Sequence, residues 1–232
     1  MQHFQDVHKV LSLEKILPGS MLAWYAARLP AVEINNTFYQ MPKVAVLAHW
    51  AEATPEAFRF AIKASRRITH DARLKADEAA DSVAYLYRNL ATLGAKRGPV
   101  LFQLPPFLKK DLPRLSDFLQ MLPEDHRAVF EFRNESWFDD AVYAVLQSAG
   151  AALCLSERED NAAPPLVETA PWGYLRLRFE SYSDDCLARW AERLAATRWQ
   201  QTHVYFMHEP TAPGYASTLL RLDAALKQAP QP

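Results

Sequence analysis

Val129-Phe130-Glu131-Phe132-Arg133 decides how the chain is read. Side chains alternate along a strand, so the two phenylalanines share one face while Glu131 and Arg133 share the other. The same two-sided pattern recurs. Val32-Glu33-Ile34-Asn35 puts both polar residues on one parity, and Phe58-Arg59-Phe60-Ala61-Ile62-Lys63 groups Arg59, Ala61 and Lys63. Tyr174-Leu175-Arg176-Leu177-Arg178 aligns both arginines with Tyr174. Gln103 closes one apolar run, and His208-Glu209 closes the last.

Working outward, seven apolar runs bounded by breakers predict strands: Ala31–Asn35, Phe58–Ala64, Pro99–Leu104, Ala128–Arg133, Ala151–Ser156, Gly173–Arg178 and His203–His208. Helical periodicity lies between them at Val44–Ala53, Asp77–Leu93, Leu112–Leu122 and Asp139–Ala149, the last with Gly150 placed as C′. Ser183 reads as the N-cap of a helix reaching Trp199, and Pro213 as the first position of a last helix ending near Lys227. Strands alternating with helices predict a parallel sheet covered on both faces. The spacing suits both an open doubly wound sheet and a (β/α)₈ barrel. A barrel explains the polar parity with fewest assumptions, because its inward faces turn polar at the C-terminal mouth where active sites form.

The 232 residues suit one domain, 1–232, with 1–18 an atypical N-terminal segment and 228–232 a loose tail. Lys+Arg (26) and Asp+Glu (27) leave a net charge of −1, which offers no global field for nucleic acid or an anionic membrane. The 6 glycines are dispersed, so the chain carries neither a dinucleotide-binding fingerprint, nor a P-loop, nor a Gly-x-Ser-x-Gly elbow. Cys154 and Cys186 stand apart among apolar residues and read as buried thiols. No apolar run approaches the ~20 residues of a membrane span. Met1–Pro18 lacks the pattern of a signal peptide, so a cytoplasmic protein is expected. Trp24, Trp50, Trp190 and Trp199 fall on helical patterns and read as packing residues.

Several of these segments together resemble the YecE-like family, domain of unknown function 72. They are Val32-Glu33-Ile34-Asn35-Asn36-Thr37-Phe38-Tyr39, Phe58–Lys63 with Ile68-Thr69-His70, Gly98–Pro106, and Glu131-Phe132-Arg133-Asn134-Glu135-Ser136-Trp137-Phe138. The resemblance runs from about Leu22 to Leu222 and implies an α/β, TIM-like barrel; it implies no reaction. The chain departs from the family at its start. The family's opening strand and glycine-containing segment are not found in Met1–Pro18, so the first strand is expected to be atypical or missing. Those residues are expected to be irregular or helical and to fill the resulting gap only partly. Two unpaired edges would result, which barrels otherwise avoid.

The candidate mouth residues are Glu33, Asn35, Lys63, His70, Gln103, Glu131, Arg133, Trp137, Arg176, Arg178, His208 and Glu209. Glu33 and Glu131 are candidate base and acid if their pKa values are pushed apart. Lys63 is a candidate electrophile or Schiff-base amine. Arginine forks suit a phosphate or carboxylate, which predicts a small anionic partner. Trp137 is either a stacking surface or a loop anchor. Glu33, Glu131, His208 and Glu209 offer oxygen and nitrogen ligands, so a divalent metal is an alternative cofactor, disfavoured because the neighbouring arginines oppose a cation. The readings carried forward are an acid–base enzyme on a small phosphorylated substrate, a metal-dependent phosphoesterase or isomerase, and a non-catalytic ligand-binding or scaffold protein. The sequence does not fix the oligomeric state.

Overall fold

The computed structural model describes residues 19–157, 165–207 and 211–228. Seven strands form one all-parallel sheet whose spatial order is the chain order. They are β1 (Ala31–Ile34), β2 (Arg59–Lys63), β3 (Arg97–Gln103), β4 (Ala128–Glu131), β5 (Ala152–Ser156), β6 (Trp172–Leu177) and β7 (Gln201–Phe206). The helices are α1 (Gly19–Ala26), α2 (Val44–Glu52), α3 (Ala76–Leu90), α4 (Leu112–Met121), α5 (Asp140–Ser148), α6 (Asp184–Ala195) and α7 (Ala212–Gln228). The sheet curls until β7 approaches β1, giving a nearly closed TIM-like barrel wrapped by helices. All seven predicted strands are present, with ends shifted by a few residues.

Strand parity separates two cores. Inward residues, among them Ala61, Leu101, Val129, Ala152, Cys154, Tyr174 and Tyr205, pack in the barrel interior. Outward residues such as Ile34, Phe60, Phe102 and Phe130 join the first helices in one outer cluster, and Leu175, Leu177 and Phe206 join α6 and α7 in another. The short Ala61 and Ala152 side chains leave interior space for the Tyr174 ring, which is fully buried.

Local chemistry fixes the helix ends. Ser183 caps α6 by accepting from the Cys186 amide at 3.2 Å, as its sequence predicts. Asp111 and Asp139 cap α4 and α5 in the same way. α5 ends in a Schellman arrangement: the Ala151 amide donates to the Leu146 carbonyl at 2.9 Å and the Gly150 amide to Gln147 at 3.1 Å, with Gly150 at φ 66°.

Four expectations need correction. α3 ends at Leu90, and Ala91–Lys96 tighten into a 3₁₀ turn, a common way to close a helix. α6 ends at Ala195, short of Trp199, whose ring instead lies over Gly173. Trp24 is 43 % exposed rather than packed, with the Arg28 guanidinium 3.9 Å above its ring. Trp50 and Trp190 are buried as expected. Cys154 is also buried, whereas Cys186 is half-buried. A Cβ at Gly173 would sit 2.3 Å from the Trp199 ring. Gly173→Ala is therefore expected to destabilise the fold by about 1–3 kcal/mol, as overpacking does; chemical denaturation checks this, with an unchanged midpoint as the contrary outcome.

Among the described residues, no backbone ladder joins β7 to β1, and a cleft of about 740 Å³ runs between them. Met1–Pro18 lies outside the described residues, as do Ala229–Pro232. Among the described residues no helix is long and apolar enough to cross a membrane.

Candidate functional site

The C-terminal ends of the strands bring most of the predicted residues together. β1 supplies Glu33, and Asn35 follows it. β2 ends on Lys63, β3 on Gln103 and β4 on Glu131, with Arg133 two residues beyond. β6 contributes Tyr174 and Arg176, and Arg178 follows at the rim. Register aligns them: Gln103 lies opposite Glu131, and Ser156 opposite Arg176. Thr37 ties the loop after β1 to the end of β2, its hydroxyl lying 3.0 Å from the Ile34 carbonyl and 2.6 Å from that of Lys63.

Arg176 is the hub. Its Nη2 and Nε donate to Glu33 Oε1 at 2.7 and 3.1 Å, and its Nη1 to Glu131 Oε2 at 2.5 Å. Nη2 also reaches Asn35 Oδ1 at 3.1 Å. Tyr174 donates its hydroxyl to Glu33 Oε2 at 2.6 Å, Asn35 Nδ2 donates to Glu33 Oε1 at 3.0 Å, and Gln103 Nε2 donates to Glu131 Oε1 at 2.8 Å. Arg176 and Glu131 are each 1 % exposed and Glu33 is 3 % exposed. Burying such charges is costly unless they are paired and hydrogen-bonded, as these are.

The electrostatics divide the cluster. Burial alone would raise the Glu131 carboxyl, but Arg176, Arg178 and Arg133 outweigh it and hold its pKa at about 2. Burial and the Glu33 carboxylate push the Tyr174 phenol well up. Lys63 is pulled down to about 8, first by burial and then by Arg176, against the opposing pull of Glu131 and Glu33. Its ammonium sits 4.4 Å from the centre of the Phe38 ring, and no carboxylate ion-pairs with it among the described residues. His70 lies on the same side. Its ring packs edge-on against Phe38 at 5.0 Å and its Nδ1 is 2.9 Å from the Thr69 hydroxyl. Burial, Lys63 and Arg133 lower its pKa.

Arg178 places Nη2 3.5 Å from both Glu131 oxygens, while its Nε and the Ser156 hydroxyl are buried with no hydrogen-bond partner among the described residues. Arg133 Nε is 3.7 Å from Glu131 Oε1. Trp137 is not brought to the mouth. It is buried in the outer core, stacked on Phe132 at 4.6 Å, and donates its indole N–H to the Leu108 carbonyl at 2.7 Å. His208 and Glu209 lie outside the described residues. Among the described residues, no three metal-ligating His, Cys, Asp or Glu side chains converge.

Tyr174 and Ser156 join the site although neither was singled out as a site residue. Their signal was positional, since Tyr174 shares a parity with Arg176 and Ser156 closes β5 on the parity of Cys154. A lone phenol or hydroxyl on a strand otherwise reads as packing.

Among curated proteins, the chain is similar to UPF0759 protein YecE of Escherichia coli K12, at 34 % identity over 115 residues, covering 49 % of this chain and 42 % of that protein. It is also similar to UPF0759 protein YunF of Bacillus subtilis 168, at 30 % identity over 148 residues, covering 59 % and 50 %. The matches span about half the length of these relatives. Among solved structures, a DUF72 family protein of Enterococcus faecalis V583 superposes with a TM-score of 0.74 at 19 % identity, over 90 % of this chain and 94 % of that one. A DUF72 family protein of Thermotoga maritima MSB8 gives 0.69 at 21 % identity, over 93 % and 92 %. The family model described as "Protein of unknown function DUF72" matches residues 8–232, and the chain belongs to that family.

Proposed function

We propose that the mouth binds a small anionic molecule, with phosphorylated metabolites as the substrate class, and that Lys63 carries the proton transfer. One observation carries this reading: among the described residues, four cationic groups, Lys63, Arg133, Arg176 and Arg178, surround two carboxylates, Glu33 and Glu131, both already engaged by Arg176. The excess positive charge sits at a barrel mouth, where a low-dielectric surround strengthens its pull on an anion. Arg178 and Arg133 lie at the rim, partly exposed, and Arg178, with its Nε unpartnered among the described residues, presents a guanidinium fork suited to phosphate.

The carboxylates then take a different part from the acid and base that their residue types suggest. A Glu131 held near pKa 2 is a weak base at neutral pH. Both carboxylates instead position Arg176. Lys63, with a pKa near 8, exchanges a proton close to neutral pH and can donate to or accept from a bound substrate. The same guanidiniums repel a divalent cation, so the reading uses none. A cytoplasmic location is proposed with it, since free Cys154 and Cys186 would stay reduced there.

A thermal-shift screen against phosphorylated sugars and nucleotides tests the binding. A ligand that binds the native state raises the melting temperature by mass action. The expected result is a shift that disappears in the Arg133→Ala/Arg178→Ala double variant. Lys63→Met is expected to reduce the shift without abolishing it and to lose turnover by about 100-fold or more, the usual scale of general acid–base catalysis. A screen with no shift, or one undiminished in the double variant, overturns the anionic-ligand reading. Saturable binding with no product in any assay would favour a non-catalytic binding protein.

A further inference from the structure

We infer that the barrel end opposite the mouth holds a second seat for a small oxyanion, formed by Arg59, Arg127, Gln201 and His203. These residues sit where the strands begin. Arg59 opens β2, Gln201 opens β7, Arg127 immediately precedes β4, and His203 lies two residues into β7 on the inward parity. Lys63, at the mouth, is four residues along β2 from Arg59, about 13 Å at the usual strand rise. The seat is thus separate from the mouth.

Its geometry differs from the mouth in one decisive respect. Among the described residues, no carboxylate ion-pairs with either Arg59 or Arg127. Arg59 Nη1 donates to the Glu56 and Phe58 carbonyls at 2.9 and 3.0 Å. Arg127 Nη2 donates to Gln201 Oε1 at 2.8 Å and lies 3.5 Å from His203 Nε2. The Arg127 guanidinium also sits 5.1 Å from the centre of the Trp172 ring. The Nε of Arg127 is buried and has no partner among the described residues.

Half-buried guanidiniums without a counter-charge among the described residues are costly to hold. Burial and Arg59 lower the pKa of Arg127, the mark of a group lacking its anion. The same field, added to burial, pulls buried His203 down to about 4, so at neutral pH its ring is uncharged and can donate one N–H. Two guanidinium forks, an amide and an imidazole form a donor set suited to phosphate or carboxylate oxygens. Among the described residues, Arg59, Gln201 and His203 line the cleft between β1 and β7, which leads to the seat. Tyr205 lines it too, with its hydroxyl buried and unpartnered among the described residues.

Calorimetric titration of the full chain with inorganic phosphate, and separately with acetate, tests this. The arm that binds identifies the oxyanion. The expected result is a site weakened about tenfold or more in Arg59→Gln and in Arg127→Gln, as losing a charge-assisted hydrogen bond implies, and unaffected in Arg178→Gln. If Arg127→Gln fails to fold, Arg59→Gln, changed at a half-exposed side chain, decides alone. No binding in either arm overturns the seat. So does a binding isotherm that Arg59→Gln leaves unchanged in the Arg133→Ala/Arg178→Ala background, where the mouth no longer contributes.

Discussion

Arg176→Ala is expected to destabilise the protein by about 3–5 kcal/mol, the usual cost of stripping a buried ion pair of one partner. The magnitude follows from what is left behind. Glu33 loses its donors from Nε and Nη2, and Glu131 loses its donor from Nη1, while both stay buried. Tyr174 and Gln103 continue to donate to them without positive charge; Arg178 and Arg133 still face Glu131 from the partly exposed rim, but among the described residues no cation is left paired with Glu33. Arg176→Met should behave in the same way, because the volume it restores does not answer the carboxylates. Denaturant unfolding measures the loss. A change below 1 kcal/mol would show that the two carboxylates become protonated or hydrated cheaply, and that Arg176 does not hold the mouth together.

Acid sensitivity carried by Glu131 is the second large effect. An unfolded glutamate titrates near 4.3, whereas Arg176, Arg178 and Arg133 hold the folded group at about 2 against the effect of burial. The folded pKa is the lower one, so the stabilising contribution is fully present above pH ~4.3. It is lost as pH falls toward 2, because the unfolded chain takes up the proton first. A depression of this size corresponds to roughly 3 kcal/mol. Glu131→Gln should therefore lower stability at pH 7 and flatten the fall between about pH 4.3 and 2. Unfolding free energies measured across that range, compared with the unmodified chain, decide the matter. Parallel curves for the two proteins would mean that Glu131 is not the group whose protonation weakens the acid state.

Much of this fold could be read from the sequence because both of its periodicities are strong. Phe130 and Phe132 flanking Glu131 announce a strand with one face for helices and one for the interior, and the structure puts Phe130 in the outer core and Glu131 in the interior network. The same parity brought Glu33, Gln103, Glu131 and Arg176 to one level without knowledge of any contact. What it could not give was who binds whom. Arg176 and Arg178 look alike in sequence, yet one is sealed between two carboxylates and the other sits at the rim. That difference depends on which neighbours reach across the barrel, and linear spacing does not encode it. Trp137 was ambiguous for the same reason. Whether an indole faces a ligand or a backbone carbonyl is set by Leu108, which lies 29 residues away in the chain. Arg59 shows in the sequence only as a parity partner of Lys63, and Arg127 not at all, because an arginine at a strand start ordinarily reads as solvated.

The seam between β1 and β7 gives the charge network a mechanical meaning. β1 has a backbone ladder to β2 on one side only, and β7 has one to β6 on one side only, among the described residues. Yet Glu33 on β1 is bonded to Tyr174 and Arg176 on β6, so side chains reach past β7 and through the interior to hold the rim. The ring is fastened by a clasp of ions where a ladder of amides would ordinarily run. A clasp of that kind answers to whatever competes for its arginine. An anion drawn to the rim, as proposed, would then do more than occupy a pocket, since by competing with Glu131 for Arg178 it would change the load on Arg176 and with it how tightly β1 and β7 are drawn together.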